Sequence, residues 1–122
     1  MDAATRAKAE KGGRRAEFLA ALFLQFKGFS IIARRFRSSA GEIDIAARRG
    51  KLVILAEVKA RASFESAVLA VTPRARKRIE AAGRTFLSRQ RGLEDCALRY
   101  DIIAVSGWRI RHLPDAWRES DR

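Results

Sequence analysis

The chain has 122 residues, 48% of them hydrophobic, which is enough core for one ordinary domain and too little for two independent ones. It carries 26 Lys and Arg against 14 Asp and Glu, a formal charge of +12, so the first partner to expect is nucleic acid, with an acidic membrane surface second. Cys96 is a lone cysteine and His112 a lone histidine, which rules out an intrachain disulfide and the usual His-rich zinc sites and leaves any hard chemistry to carboxylates and lysine.

In chain order, MDAATRAKAEKG (residues 1–12) is polar and basic and is expected to be a flexible arm, with a single domain over 13–122. From Arg14 to Lys27, Ala16, Leu19, Ala20, Phe23 and Phe26 recur at helical spacing and Gly28 supplies a stop, so a first helix is expected with those residues inward and Glu17 beside the stripe. The run FLAALFLQF within it is too short to span a bilayer and is bounded by Glu17, Gln25 and Lys27; no export and no membrane partner are expected, and a cytoplasmic location fits the cysteine usage.

FSIIARRFR (29–37) reads as a strand, followed by two more, Glu42 to Ala47 and Leu52 to Ala60, joined through Arg48-Arg49-Gly50-Lys51. The stretch LVILAEV is almost continuously apolar, as a central strand covered on both faces would be. SFESAVLAV (63–71) is ambiguous between loop and short element. Thr72-Pro73 starts a helix with an N-cap hydroxyl and a proline at the first helical position. That helix turns Ala75, Ile79, Ala82 and Phe86 inward, presents Arg74, Lys77, Arg78, Arg84 and Arg91 elsewhere beside the lone Glu80, and ends near Gly92. ALRYDIIAV and WRIRHL make a last strand pair around Ser106-Gly107. Trp108 and Trp117 are expected to cover a core rather than to stack on bases. The order α-β-β-β-α-β-β makes an α/β sandwich with a mixed sheet, because a helical crossover permits parallel pairing.

The middle hairpin poses the chemical question. Between Phe18 and Phe64 there are three acids, Glu42, Asp44 and Glu57, against nine bases, and all three acids fall on this hairpin. If residues 49–52 form its loop, Arg48 faces Val53, Ala46 faces Leu55 and Asp44 faces Glu57. Like charges so opposed are destabilising unless a cation lies between them. Two carboxylates with no Cys or His nearby suit Mg²⁺ or Mn²⁺. The alternative at this point is a surface ion network of Asp44, Glu57, Lys59 and Arg61.

Asp44 followed thirteen residues later by Glu57-Val58-Lys59 resembles the D–(D/E)xK motif of restriction-endonuclease-like nucleases. With GRRAEFLAALFLQFKGFSIIARRFR before GEIDIAA and LAEVKAR after it, roughly residues 12–110 resemble the YraN family of small bacterial, predicted endonuclease-like proteins. The resemblance implies a restriction-endonuclease-like three-layer sandwich, its central mixed sheet flanked by helices. It implies Asp44 and Glu57 as metal ligands, Lys59 as the motif lysine, and Glu17 as an acid that completes the metal site from the first helix, with Glu42 and Arg61 at flanking positions. Arg35 stands where similar sequences tend to have asparagine, and Ala56 where they tend to have valine.

The chemistry then expected is metal-dependent hydrolysis of phosphodiester bonds. Asp44, Glu57, Glu17 and the Val58 carbonyl hold Mg²⁺ or Mn²⁺, and Lys59 neutralises charge developing on the phosphate. Arg61, Arg74, Lys77, Arg78 and Arg84 track the polymer backbone. DNA is expected before RNA, branched or single-stranded by fold analogy alone, with a homodimer able to cut two strands. The competing expectation is a non-catalytic nucleic-acid-binding protein that keeps the same fold.

Overall fold

A computed structural model describes residues 2–119, with the backbone alone for residues 4–12. Its elements are α1 (Ala3–Phe26), β1 (Ser30–Ser38), β2 (Gly41–Arg49), β3 (Leu52–Ala60), α2 (Phe64–Ala70), α3 (Pro73–Ser88), β4 (Ala97–Ser106) and β5 (Arg109–Trp117). The five strands form one sheet in the order β1-β2-β3-β4-β5. All neighbours pair antiparallel except β3 and β4, which are parallel and joined by the α2-α3 crossover. This is the expected α/β sandwich, with α1 on one face and α3 on the other.

Each helix shows why it starts and stops. At the end of α1 the Gly28 N–H reaches the Gln25 carbonyl and the Phe29 N–H reaches the Leu24 carbonyl, both at 3.0 Å. Gly28 makes that reversal at φ +93°, a region open to glycine, and both Leu24 and Phe29 are buried by it. Thr72 caps α3 through its hydroxyl, which accepts from the Ala75 N–H at 3.1 Å, and Pro73 follows as expected. The ambiguous segment 63–71 contains a helix, because Ser63 and Ser66 form a reciprocal capping box ahead of it.

Two boundaries and one buried face differ from the expectation. The α1 backbone is helical from Ala3, through the segment expected as an arm; the side chains of 4–12 lie outside the described residues. α3 ends at Ser88, before Gly92. The inward stripe of α1 is also rotated: Ala16, Ala20, Ala21 and Leu24 are buried, while Phe26 is 97% exposed and Phe18 and Leu22 face solvent. Small alanine side chains let the helix axis lie close to the sheet, so the Ala/Leu stripe wins over the bulkier Phe stripe in a helix that is apolar on nearly every side.

The core has two layers. Under α1 lie Ile45, Ile54, Ile103 and Val105. Under α3, Ile43, Leu55 and Ile102 meet Ile79, Ala82 and Phe86. Burying a side chain of this size is worth about 1.5–3 kcal/mol, so both faces contribute comparably and β3 is sealed between them. At Gly83 a β-carbon would lie 2.6 Å from Leu55 Cδ1, so a larger residue there would push the buried Leu55 side chain aside.

Candidate functional site

The hairpin register is the one the sequence implies, with Arg48 opposite Val53, Ala46 opposite Leu55 and Ile45 opposite Ala56. Backbone pairing between β2 and β3 stops there. One residue further, the carboxylate of Asp44 takes over: its Oδ2 accepts the Val58 backbone N–H at 2.8 Å. Asp44 is thereby fixed at 8% exposure at the point where the two strands part. The gap between them opens into a cleft of about 390 Å³ lined by Glu17, Asp44, Glu57, Val58 and Lys59, with Arg78 of α3 at its wall. Gly41 permits that wall, since a β-carbon on it would stand 2.6 Å from the Arg78 carbonyl oxygen.

The electrostatics of the cleft centre on Glu57. Its carboxyl is pushed up to about 9, first by burial, then by its hydrogen bond to Asp44 and by the Asp44 charge; Lys59 pulls the other way and does not prevail. At neutral pH Glu57 is therefore held protonated beside Asp44. Its ionised form lacks compensating positive charge, and a hard divalent cation sharing both carboxylates would supply it. The donors are all oxygen, which fits Mg²⁺ or Mn²⁺ and not a thiophilic ion.

Glu17 reaches the same cleft but is committed elsewhere. Its Oε1 accepts from Arg35 Nε at 2.7 Å. Among the described residues, accordingly, no group of three or more His, Cys, Asp or Glu is arranged to hold a metal ion. Arg35 sits at φ +54°, in the left-handed region that asparagine tolerates better than arginine, just past a register shift in the β1-β2 pairing. Glu42 lies outside the acid pair, in an exposed contact of 3.4 Å with Arg37.

Comparison with known proteins shows the family. The description "Uncharacterised protein family UPF0102" matches residues 16–105. The chain belongs to UPF0102. It is 56% identical over 111 residues to a UPF0102 protein of Rhizobium meliloti (strain 1021), covering 90% of this chain and 91% of the relative. A UPF0102 protein of Paramagnetospirillum magneticum is 47% identical over 115 residues, 90% and 89% of the two chains. The YraN resemblance drawn from the GEID and EVKxR segments thus stands at family level.

Within this UPF0102 fold the basic residues are not equivalent. Arg74, Lys77, Arg78 and Arg84 are all exposed on α3, but Arg84 is paired with Glu119 at 2.8 Å, and Arg78 alone of the four lines the cleft. Arg61 is exposed beyond β3, its guanidinium on the Ala60 carbonyl at 2.9 Å. Glu80, expected beside the cationic face, is buried, and its Oε2 accepts the Trp117 indole N–H at 3.1 Å. That side chain reaches across from β5, a contact that helical periodicity does not reveal.

One polar centre was missed in the sequence. Asp101 of β4 is fully buried and accepts from Arg99 through two bonds of 2.9 Å, from the Asp115 N–H at 2.9 Å, and pairs with His112 Nε2 at 2.7 Å. His112 Nδ1 faces Lys27 Nζ at 2.9 Å, so the lone histidine joins β4, β5 and the end of α1. Burial works against the Asp101 charge, but the bonds from His112, Arg99 and Asp115 outweigh it and hold the carboxyl below the usual range. An aspartate inside YDIIAV was the available signal.

Proposed function

We propose that this chain is a Mg²⁺- or Mn²⁺-dependent nuclease that hydrolyses phosphodiester bonds, DNA before RNA. The observation that carries the reading is the Asp44-Glu57 carboxyl pair at the splayed ends of β2 and β3, inside a cleft that also holds Lys59. Asp44, Glu57 and the Val58 carbonyl would hold the cation, with Glu17 available once it leaves Arg35. When bound, such an ion polarises the phosphate and lowers the pKa of water.

The chain's own groups do the rest. The Val58 N–H fixes the Asp44 carboxylate, so one ligand is already oriented before any substrate arrives. Lys59 offsets negative charge gathering on the phosphate oxygens. Arg78, at the cleft wall, draws in and holds the polymer backbone. A symmetric homodimer would present two such clefts to two strands.

One observation favours a second reading, a non-catalytic nucleic-acid-binding protein: Glu17 is occupied by Arg35, and the described acids form no three-membered ligand group. A single experiment separates the two. Purified protein is incubated with branched, flapped and single-stranded DNA in Mn²⁺, beside Glu57→Ala and Lys59→Ala. Cleavage by the wild type should fall by about 100-fold or more in each variant, the scale expected when a metal ligand or a charge-stabilising group is lost. Cleavage that survives both substitutions would remove this cleft from the chemistry, and tight binding without cleavage would favour the second reading.

A further inference from the structure

Trp108 occupies the two-residue turn between β4 and β5, after Gly107 at φ +62° and between the paired Ser106 and Arg109. Positive φ only at the first turn position is the II′ pattern, which needs glycine there and makes no demand on the residue that follows. Any polar side chain would close this hairpin. The indole is nevertheless 79% exposed, whereas Trp117 lies 3% exposed against Tyr100, ring centroids 5.1 Å apart. The core-covering duty expected of both tryptophans thus falls to Trp117 alone.

The position of Trp108 is fixed from the site side. Arg15 of α1 places its Cζ 4.3 Å from the centroid of the Trp108 ring and donates through Nη2 to the Gly107 carbonyl at 2.9 Å. Arg15 directly precedes Ala16 and Glu17, both of which line the carboxylate cleft. The Ser106 hydroxyl donates to the Ala62 carbonyl at 3.2 Å, and the Arg61 N–H to the Val105 carbonyl at 3.1 Å, tying the hairpin to the chain just beyond Lys59. The hairpin tip therefore stands at the same end of the sheet as the cleft. One indole face carries a guanidinium, while the exposure leaves the other available.

A flat apolar ring held rigid, with a cation on its back and the exposed Arg109 next in the chain, matches an unpaired nucleobase on its phosphate backbone. The π-face takes the base and the guanidinium the negative charge. A base inside a duplex has no free face to offer. We propose that Trp108, backed by Arg15, is a stacking platform for an unpaired base, so that this chain selects single-stranded segments or strand junctions over continuous duplex. The proposal rests on the nucleic-acid reading above and deepens it.

The test is made in EDTA, where metal-dependent cleavage cannot contribute, using a short oligothymidylate and a duplex of equal length. Stacking quenches indole emission, and with Trp117 buried the quenched signal belongs to Trp108. The wild type should show saturable quenching with oligothymidylate and little with duplex. Trp108→Ala should weaken oligothymidylate binding, followed by anisotropy of a labelled strand, roughly 5- to 150-fold, the range for loss of one stacked base, and leave duplex binding within about twofold. Trp108→Phe should restore most of the affinity without the quenching, which separates stacking from a structural role in holding the hairpin to α1.

The proposal is overturned if oligothymidylate produces no saturable quenching, or if Trp108→Ala weakens both ligands by the same factor. It is equally overturned if anionic phosphatidylserine vesicles quench while oligothymidylate does not, which would make the tip a membrane contact. Single-strand quenching without Mn²⁺-dependent cleavage would sink the nuclease reading and leave this one standing; cleavage with no preference for unpaired bases would do the reverse.

Discussion

Glu57 is the residue on which the cleft turns, and its titration makes a signed prediction. Its ordinary value is 4.5 and its folded value about 9, so the folded chain binds this proton more tightly than the unfolded one. The stability it contributes is complete below pH 4.5 and is lost as pH rises through about 9. Glu57→Gln removes that loss: the metal-free variant should melt higher than wild type at pH 8 and about level at pH 4, while Mn²⁺ no longer raises its Tm. A lower Tm for Gln at pH 8 would mean that the buried carboxyl is compensated after all. For the wild type, a cation must displace the proton, so Mn²⁺ affinity should rise about tenfold per pH unit between pH 6 and 8, with proton release measurable by calorimetry in buffers of different ionisation enthalpy. The approach of the Asp44 and Glu57 carboxyls was readable because a period of two and a loop position fix the register, although the ladder itself ends at Ile45 and Ala56. The diversion of Glu17 to Arg35 was not, because it depends on a left-handed backbone residue beside a register shift.

At the scale of elements, the molecule is tied together at the middle of β4, where Asp101 fastens β4 to β5 and, through His112, to Lys27 after α1. Replacing it with asparagine leaves Arg99 and His112 facing a neutral group at a buried position, and should cost about 3 kcal/mol, the lower end of what breaking a buried pair costs. Because the Asp101 carboxyl lies below its ordinary range, its stabilisation is present above the unfolded value of about 3.8 and disappears as pH falls through the lower folded one. Acid melts of wild type and Asp101→Asn should accordingly draw together as pH falls below about 3.8. At the cleft, Gly41 lets β2 approach α3, and Gly41→Ala should force β2 and α3 apart against the Arg78 backbone. Its expected cost is about 1–3 kcal/mol by thermal melting, as for overpacking elsewhere. Helix starts were legible from Thr72-Pro73, whereas α2 was not, because seven residues carry too little periodicity and its capping box uses serine at both positions.

For the whole molecule, the charge of +12 makes polyanion binding steeply dependent on salt if nucleic acid is the partner. The slope of log K against log salt should drop by about 1 for Arg78→Ala and by less for Arg84→Ala, whose charge Glu119 already offsets. Equal changes would mean that α3 acts as a diffuse field and not through placed contacts. Taken alone, the sequence determined the α/β class, the strand register and the concentration of acids on one hairpin, since each follows from local spacing, turn chemistry or charge count. Only the tertiary structure decided which stripe of α1 faces the sheet, which tryptophan is bare, and what Glu17, Glu80 and His112 bond to. Those outcomes depend on contacts between residues 11 to 85 positions apart, whose competition for partners is settled by packing and leaves no periodic mark in the chain.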